Sequence, residues 1–225
     1  MVEVSNLEIR MAERRERILE AARSLIENRG YEALTMRELA RASGITVPTI
    51  YNLIGNKESV LLAAVEEQTR PFVAGLAEQP GDLIGVIETA VRQLVRRPRY
   101  YRSLLLVLGG SENAGPAHRY VVRALAEQID RGLADLEASG ELVAWALRPV
   151  LAERLRAHFE MASLEWARGR LSGPAFRAAA IFDASTTLLG MTTGRAHAHF
   201  EALARQNQAD VRRSSGSRTS SGRAA

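Results

Sequence analysis

Long stretches rich in alanine, leucine, arginine and glutamate alternate with short clusters of proline and glycine, and this pattern constrains the fold most strongly. No segment alternates valine or isoleucine with polar residues in the way that a strand does. In the first stretch the apolar residues Ile18, Ala22, Leu25 and Ile26 instead recur at helical spacing. The chain is therefore predicted to be all-α.

Capping residues and helix breakers fix most of the predicted boundaries. Gly30 follows the first helix as a C-terminal cap, and Thr35 to Glu38 reads as a reciprocal capping box at the start of the second. Thr46 is a good N-cap for a third helix with Pro48 in its first turn, and Asn56 caps a fourth. Helices are expected at residues 10–29, 36–43, 47–54, 56–77, 82–96, 99–108, 116–138, 149–168 and 174–205.

The expected domain organisation follows from these helices. An N-terminal helix-turn-helix domain should occupy residues 1–55, followed by a connecting helix at 56–80 and a larger helical domain at 81–207. The C-terminal segment 208–225 is expected to form a disordered tail, because beyond residue 211 it contains only two terminal alanines as apolar residues.

Composition excludes several classes of function. The chain has no cysteine, so disulfides, thiolate metal sites and a cysteine nucleophile are excluded. No catalytic set or cofactor fingerprint is present, and His197 and His199 point to different faces of a helix, so neither an enzyme nor a cofactor nor a metal site is expected. No stretch is apolar enough for a signal peptide or a membrane span, and we expect a cytoplasmic protein with no membrane partner.

Net charge does not by itself indicate nucleic-acid binding. Of the net charge of +4, residues 206–225 supply +3, from four arginines and one aspartate. A nucleic-acid function must therefore rest on where particular residues lie.

The segment 35–59 reads as two short helices around a Ser43-Gly44 turn, the geometry that lets a second helix enter a DNA major groove about 12 Å wide. A threonine opens the first of these helices, Ser-Gly-Ile forms the turn, Thr-Ile-Tyr lies in the second, and Asn-Lys-Glu opens the next helix. In these features the chain resembles the tetracycline-repressor-like (TetR) family of regulators, over about 50 residues from the first helix to the fourth.

The resemblance implies a DNA-binding role for eight residues. Those at the start of the third helix would face the groove, Tyr51, Lys57 and Thr35 would hold phosphates, and Ile45 and Ile50 would be core. This chain departs from the family where Val47 replaces a polar or basic residue, which favours contact with thymine methyl groups, and at Leu53 and Ile54, where an aromatic residue is common. The expected DNA-binding residues are Thr35, Thr46, Val47, Pro48, Thr49, Tyr51, Asn52 and Lys57.

The resemblance also implies a homodimer through the last two helices. The helix at 174–205 has small residues that allow close helix approach, and its expected partner at 149–168 offers larger apolar ones. The alternative is that the two helices pack within one subunit. The small residues are Ala178, Ala179, Ala180, Ala184, Ser185, Gly190 and Gly194, and the larger set is Leu151, Leu155, Phe159, Ala162 and Trp166.

An apolar effector pocket is the second role that the family gives to this region. Either Arg102 or His158 would be its polar anchor, although such residues at helical spacing also suit an ordinary core. The candidate residues are Phe72, Tyr101, Arg102, Leu105, Leu108, His158 and Phe159. The expected function is a ligand-responsive repressor on a palindromic operator, and the alternatives are a constitutive DNA-binding protein or an all-helical enzyme.

Overall fold

The computed structural model describes the backbone of residues 6–77, 82–108 and 116–220, and the side chains of residues 6–70, 82–106 and 123–211. Within these ranges the chain is helical and contains no strand, which confirms the predicted all-α class. The ten helices are α1 (Asn6–Arg29), α2 (Met36–Ser43), α3 (Val47–Leu53), α4 (Lys57–Ala77), α5 (Leu83–Arg96), α6 (Pro98–Leu108), α7 (Pro116–Ala138), α8 (Arg148–Ala167), α9 (Gly173–Leu189) and α10 (Gly194–Ser220).

The chain divides into two compact units. The first contains Met1–Pro71 and Arg97–Val121, and the second contains Phe72–Arg96 and Val122–Ala225. Helix α6 therefore belongs to the same unit as the helices of the N-terminal domain.

The first unit is built on the apolar face of α1. Ile18, Ala22 and Ile26 are buried there, and Leu39 of α2 and Ile50 of α3 are completely buried as well. A helix of seven residues such as α3 is too short to be stable alone, so its orientation depends on this shared core. The core therefore fixes how α3 is presented to solvent.

The second unit has its core between α8 and α9. The indole of Trp166 stacks on the Phe176 ring with centroids 5.5 Å apart, and the Phe159 ring is tilted against Phe176 with centroids 5.9 Å apart. Leu151 and Leu155 are also buried. These large residues, which the sequence suggested as dimer contacts, therefore fill the core of their own chain.

The predicted helix at 174–205 is wrong, because two helices occupy this region. Helix α9 ends at Leu189 and α10 begins at Gly194, whose φ of +60° favours glycine. Gly190 thus lies in the turn and Gly194 is the first residue of α10, so neither is a small residue in the interior of a helix. A short backbone pairing closes the turn: Val143 N–H donates to the Met191 carbonyl at 2.9 Å, and Thr193 N–H donates to the Glu141 carbonyl at 2.8 Å.

Glu141 also caps the new helix. One oxygen of its carboxylate accepts the backbone N–H groups of Arg195 and Ala196, at 3.0 and 3.1 Å. These donors have no partner within the first turn of a helix, and a negative charge there is favourable. The cap comes from 54 residues earlier in the chain, which a local sequence pattern does not reveal.

The C-terminal helix extends into the segment that was expected to be disordered. Backbone helix continues to Ser220, whereas the expected tail begins at residue 208. Glutamine, alanine and arginine at residues 208–213 are good helix formers, whereas helix propensity does not explain the continuation through 214–220, which is rich in serine. The glycine-rich segment 109–115 and the last residues 221–225 lie outside the described residues.

Candidate DNA-binding site

The turn between α2 and α3 is set by capping and by one glycine. The Thr35 hydroxyl accepts the Glu38 N–H at 3.1 Å, which confirms this half of the capping box. The reciprocal half is absent, because the Glu38 carboxylate instead pairs with Arg29 at 3.0 Å. At the other end of α2, Gly44 has a φ of +67° and the Ser43 carbonyl accepts a hydrogen bond from Arg17 Nη2 at 2.7 Å.

Helix α3 presents one face to solvent. Pro48 and Asn52 are exposed, and Tyr51 is 50 % exposed, which is unusual for a large aromatic residue. Ile50, on the opposite side, is completely buried, and Ile45 lies in the core as predicted. The face of α3 opposite Ile50 is therefore available for a partner.

The two threonines at the start of α3 bond to each other. Their hydroxyl oxygens, on Thr46 and Thr49, lie 2.8 Å apart. Thr46 occupies the N-cap position but makes no side-chain cap bond, so its predicted capping hydrogen bond is absent. One hydroxyl of the pair donates to the other, which leaves one O–H donor and several lone pairs for a partner.

Lys57 is held in a defined position at the start of α4. Its ammonium lies 4.2 Å from the centroid of the Tyr31 ring and donates to the Glu32 carbonyl at 3.5 Å. The helix begins where the Asn56 side chain accepts the Ser59 N–H at 2.9 Å, as the sequence predicted. An ammonium has three donors, so Lys57 keeps others for an anion.

Tyr31 was not among the residues that the sequence singled out. Its ring supports Lys57 through a cation–π contact between residues 26 positions apart, and a sequence pattern gives no sign of such a contact. Burial raises the pKa of the Tyr31 hydroxyl, and the carboxylates of Glu58 and Glu32 raise it further. The phenol therefore stays neutral at physiological pH.

The candidate effector residues lie in both units. Tyr101 of the first unit is buried and packs edge-on against Tyr100, with centroids 5.1 Å apart, and Arg102 and Leu105 are half-buried nearby on α6. In the second unit, His158 is exposed and its Nδ1 lies 3.1 Å from the Thr187 hydroxyl. Phe159 belongs to the aromatic core described above, and the side chains of Phe72 and Leu108 lie outside the described residues.

Two cavities lie within single units, and neither is lined by the candidate effector residues. In the second unit a cavity of about 350 Å³ is lined by Asp82, Leu83, Ile84, Leu136, Glu141, Arg195, Ala196, His199 and Phe200. In the first unit a cavity of about 540 Å³ is lined by Glu20, Arg23, Ser24, Glu27, Asn28, Glu67, Gln68, Arg97 and Arg99.

Two further properties concern the part of the chain that the structure describes. No helix there is both long and apolar enough to cross a membrane. No group of three or more histidine, aspartate or glutamate side chains there is arranged to hold a metal ion.

Comparison with known proteins identifies the N-terminal domain. Residues 18–64 match the family described as bacterial regulatory proteins, tetR family. The helix-turn-helix domain is of the tetR type. Members of that family are DNA-binding transcription regulators and not enzymes.

Solved structures of tetR-type regulators share the fold beyond this domain. SmeT, the repressor of the Stenotrophomonas maltophilia multidrug efflux pump SmeDEF, is 19% identical, with a TM-score of 0.64 over 81% of this chain and 92% of SmeT. FadR from Bacillus subtilis is 17% identical, with a TM-score of 0.65 over 78% of this chain and 98% of FadR. NalD, the secondary repressor of the MexAB-OprM multidrug efflux pump in Pseudomonas aeruginosa, is 21% identical, with a TM-score of 0.60 over 80% and 96%.

At these identities the likeness shows the fold. Comparison of the sequence with curated proteins gives no match.

Proposed function

We propose that the protein is a homodimeric repressor that binds a palindromic operator and is released from it by a small apolar or aromatic effector. The observation that carries this proposal is the exposed face of α3, opposite the buried Ile50, beside a lysine held over the Tyr31 ring. This arrangement suits DNA, because side chains at the start of a recognition helix read bases while flanking donors hold phosphates.

The proposed contacts divide into two groups. Thr46, Val47, Pro48 and Thr49 would meet base edges, and the free hydroxyl proton of the threonine pair would donate to a base acceptor. Thr35, Tyr51, Asn52 and Lys57 would hold the backbone. Since phosphate contacts fix the register of the protein on DNA, loss of the second group should weaken binding to every DNA sequence. Loss of the first group should weaken binding only to sequences with the bases it contacts.

A second copy of the chain is the proposed partner for a largely apolar row on α8, on which the exposed Arg154 also lies. Val150 is 55 % exposed and Met161 is 59 % exposed, and Ala157 lies between them on the same face of the helix. Two such rows, brought together about a two-fold axis, would be buried in a four-helix interface formed by α8 and α9 of both copies. The interface residues are then those that point away from the aromatic core.

The effector class is proposed from solved complexes of two similar proteins. FadR from Bacillus subtilis was determined in complex with stearoyl-CoA, and SmeT was determined in complex with triclosan. An effector of this chain would act by binding one state of the dimer more tightly, with its two recognition helices at a spacing unsuited to the operator. A preference of a few kcal/mol for that state is enough to empty the operator.

A constitutive DNA-binding protein is the second candidate function. The contact of Phe159 with Phe176, which in turn stacks on Trp166, gives a filled core at one of the positions where the sequence suggested an effector pocket. In that case no small molecule would change the affinity for DNA. An apolar-compound screen that measures release from DNA separates the two candidates.

The experiment that tests DNA binding begins with duplexes selected by the protein from a random-sequence library. Binding of the selected duplex is followed by fluorescence anisotropy at several salt concentrations, for the wild type and a Tyr51→Phe, Lys57→Ala variant. We expect nanomolar binding by the wild type and affinity at least tenfold weaker for the variant, with a shallower salt dependence.

Arg92→Ala is the control, because Arg92 is exposed on α5 in the second unit. Equal binding by the wild type and the double variant would contradict the proposed role of this surface. Failure to enrich any sequence would contradict the repressor function itself.

A further inference from the structure

We propose that the first three turns of α1, residues 6–17, are a second DNA-contacting element, in which Arg10 and Arg14 bind backbone phosphates. We call this segment the α1 arm. The inference rests on the proposed DNA-binding function and adds a surface that lies outside the family match, which begins at residue 18. The partner is defined by its chemistry, which is a row of phosphate anions beside the recognition helix.

The α1 arm has no packing of its own. Every side chain from residue 6 to residue 17 is exposed except Arg15, which is half-buried, whereas Ile18 and Leu19 are completely buried. Leu7 and Met11 are 67 and 44 % exposed. The α1 arm continues a 24-residue helix whose second half is packed in the core, so its side chains are presented to solvent and to a partner.

One face of the α1 arm is basic. Arg10, Arg14 and Arg17 recur at intervals of four and three residues, which places them on the same side of the helix. Glu13, three residues after Arg10 and four before Arg17, lies at one edge of this side, and Glu16 lies farther round the helix. Arg10 and Arg14 are separated by about 6 Å along the helix axis. With three arginines against one glutamate, the face keeps a net positive charge, which complements a phosphate backbone.

Within the described ranges, two arginines of this face, Arg10 and Arg14, are not paired with a carboxylate. Many arginines pair with carboxylates, as Arg23 does with Glu67 and Arg148 does with Asp130, both at 3.0 Å. Among the residues that the structure describes, the side chains of Arg10 and Arg14 have no ion pair. Their guanidinium groups keep their full donor capacity for an external anion.

Arg17 shows which way the basic face is turned. Its Nη2 donates to the Ser43 carbonyl at 2.7 Å, directly before the turn that leads into α3. The basic face therefore lies on the same side of α1 as the helix-turn-helix turn. Along the axis of α1, Arg14 and Arg10 lie about 4.5 and 10.5 Å from Arg17. When α3 enters a major groove, these two side chains would therefore extend the positively charged surface beyond Arg17.

The test compares an Arg10→Ala, Arg14→Ala variant with a charge-matched Arg15→Ala, Arg92→Ala control. Arg15 lies on the half-buried side of the same helix, and Arg92 is exposed on α5. Anisotropy titrations use the selected duplex and an unrelated duplex of equal length, each at several salt concentrations, after circular dichroism has shown equal helix content.

For the arm variant we expect affinity about tenfold or more lower on both duplexes, and a salt slope smaller by about 1.8, because each phosphate contact contributes about 0.9. The control should stay within about twofold of the wild type. An unchanged slope in the arm variant overturns the inference, and an equal loss in the control overturns it too, since net charge alone would then explain the effect. If the wild type binds no duplex, the proposed function fails first and the inference fails with it.

Discussion

Replacement of Gly44 by alanine tests whether the turn before the recognition helix depends on one backbone conformation and one hydrogen bond. Gly44 has a φ of +67°, and a Cβ added there would lie 2.9 Å from Arg17 Nη2. The guanidinium would have to move, and its hydrogen bond to the Ser43 carbonyl would be lost. The substitution therefore combines backbone strain with loss of a contact.

The two contributions can be separated with Gly30. It has a φ of +80°, but a Cβ there would make only an ordinary contact of 3.8 Å with Ser103. Gly30→Ala should lower the free energy of unfolding by about 1 kcal/mol, from the left-handed backbone alone. Gly44→Ala should cost about 2 kcal/mol, because loss of the charged hydrogen bond adds about 1 kcal/mol.

Native-state hydrogen exchange of the α2 and α3 amides measures these costs within the first unit. A double-mutant cycle with Arg17→Ala provides the decisive comparison. In the Arg17→Ala background, Gly44→Ala should cost only about as much as Gly30→Ala. If Gly44→Ala costs the same with and without the arginine, the reasoning about the Arg17 contact is refuted.

Three further predictions concern other contacts. Tyr31→Leu removes the ring that supports the Lys57 ammonium, and we expect operator affinity to fall about three- to tenfold in an anisotropy titration, with no change if Lys57 is already alanine. Burial raises the pKa of the Asp183 carboxyl, so the folded state loses stability as pH rises through the folded pKa. Asp183→Asn should therefore increase the free energy of unfolding in urea at pH 7. This advantage should disappear below the unfolded pKa of about 3.9, where both states of the wild type are protonated. A Cβ on Gly132 would lie 2.6 Å from Cγ of the buried Leu83. Gly132→Ala should therefore lower the melting temperature and reduce the free energy of unfolding by about 1–2 kcal/mol. A smaller residue at position 83 should reduce that loss.

Local signals made the helix-turn-helix domain predictable from the sequence. Thr35 caps α2 and Asn56 caps α4 through atoms three residues away, and Gly30 follows the last residue of α1 with a positive φ. Each of these interactions involves neighbours in the chain, so residue type and spacing are enough to predict it. The reciprocal bond of Glu38 failed because a distant residue, Arg29, competes for the carboxylate.

Interactions between distant residues account for what the sequence did not predict. The break between α9 and α10 is held by backbone bonds to residues 141 and 143 and by the carboxylate of Glu141. Periodicity correctly showed that Leu155 and Phe159 would be buried, but it could not show that the burying partner is the same chain and not a second copy. The support of Lys57 by Tyr31 belongs to the same class of contact.

Lys57 is the only lysine in the chain, and this gives the contact between its ammonium and Tyr31 a chemical consequence. The chain therefore offers an acylating reagent a single ε-amine, besides any α-amine. A single acetylation at that nitrogen would neutralise the charge over the ring, as well as the proposed anchor for the DNA backbone. Because the other Lys and Arg positions are all arginine, reagents that modify side-chain amines would act at this one position, at the edge of the DNA-binding domain.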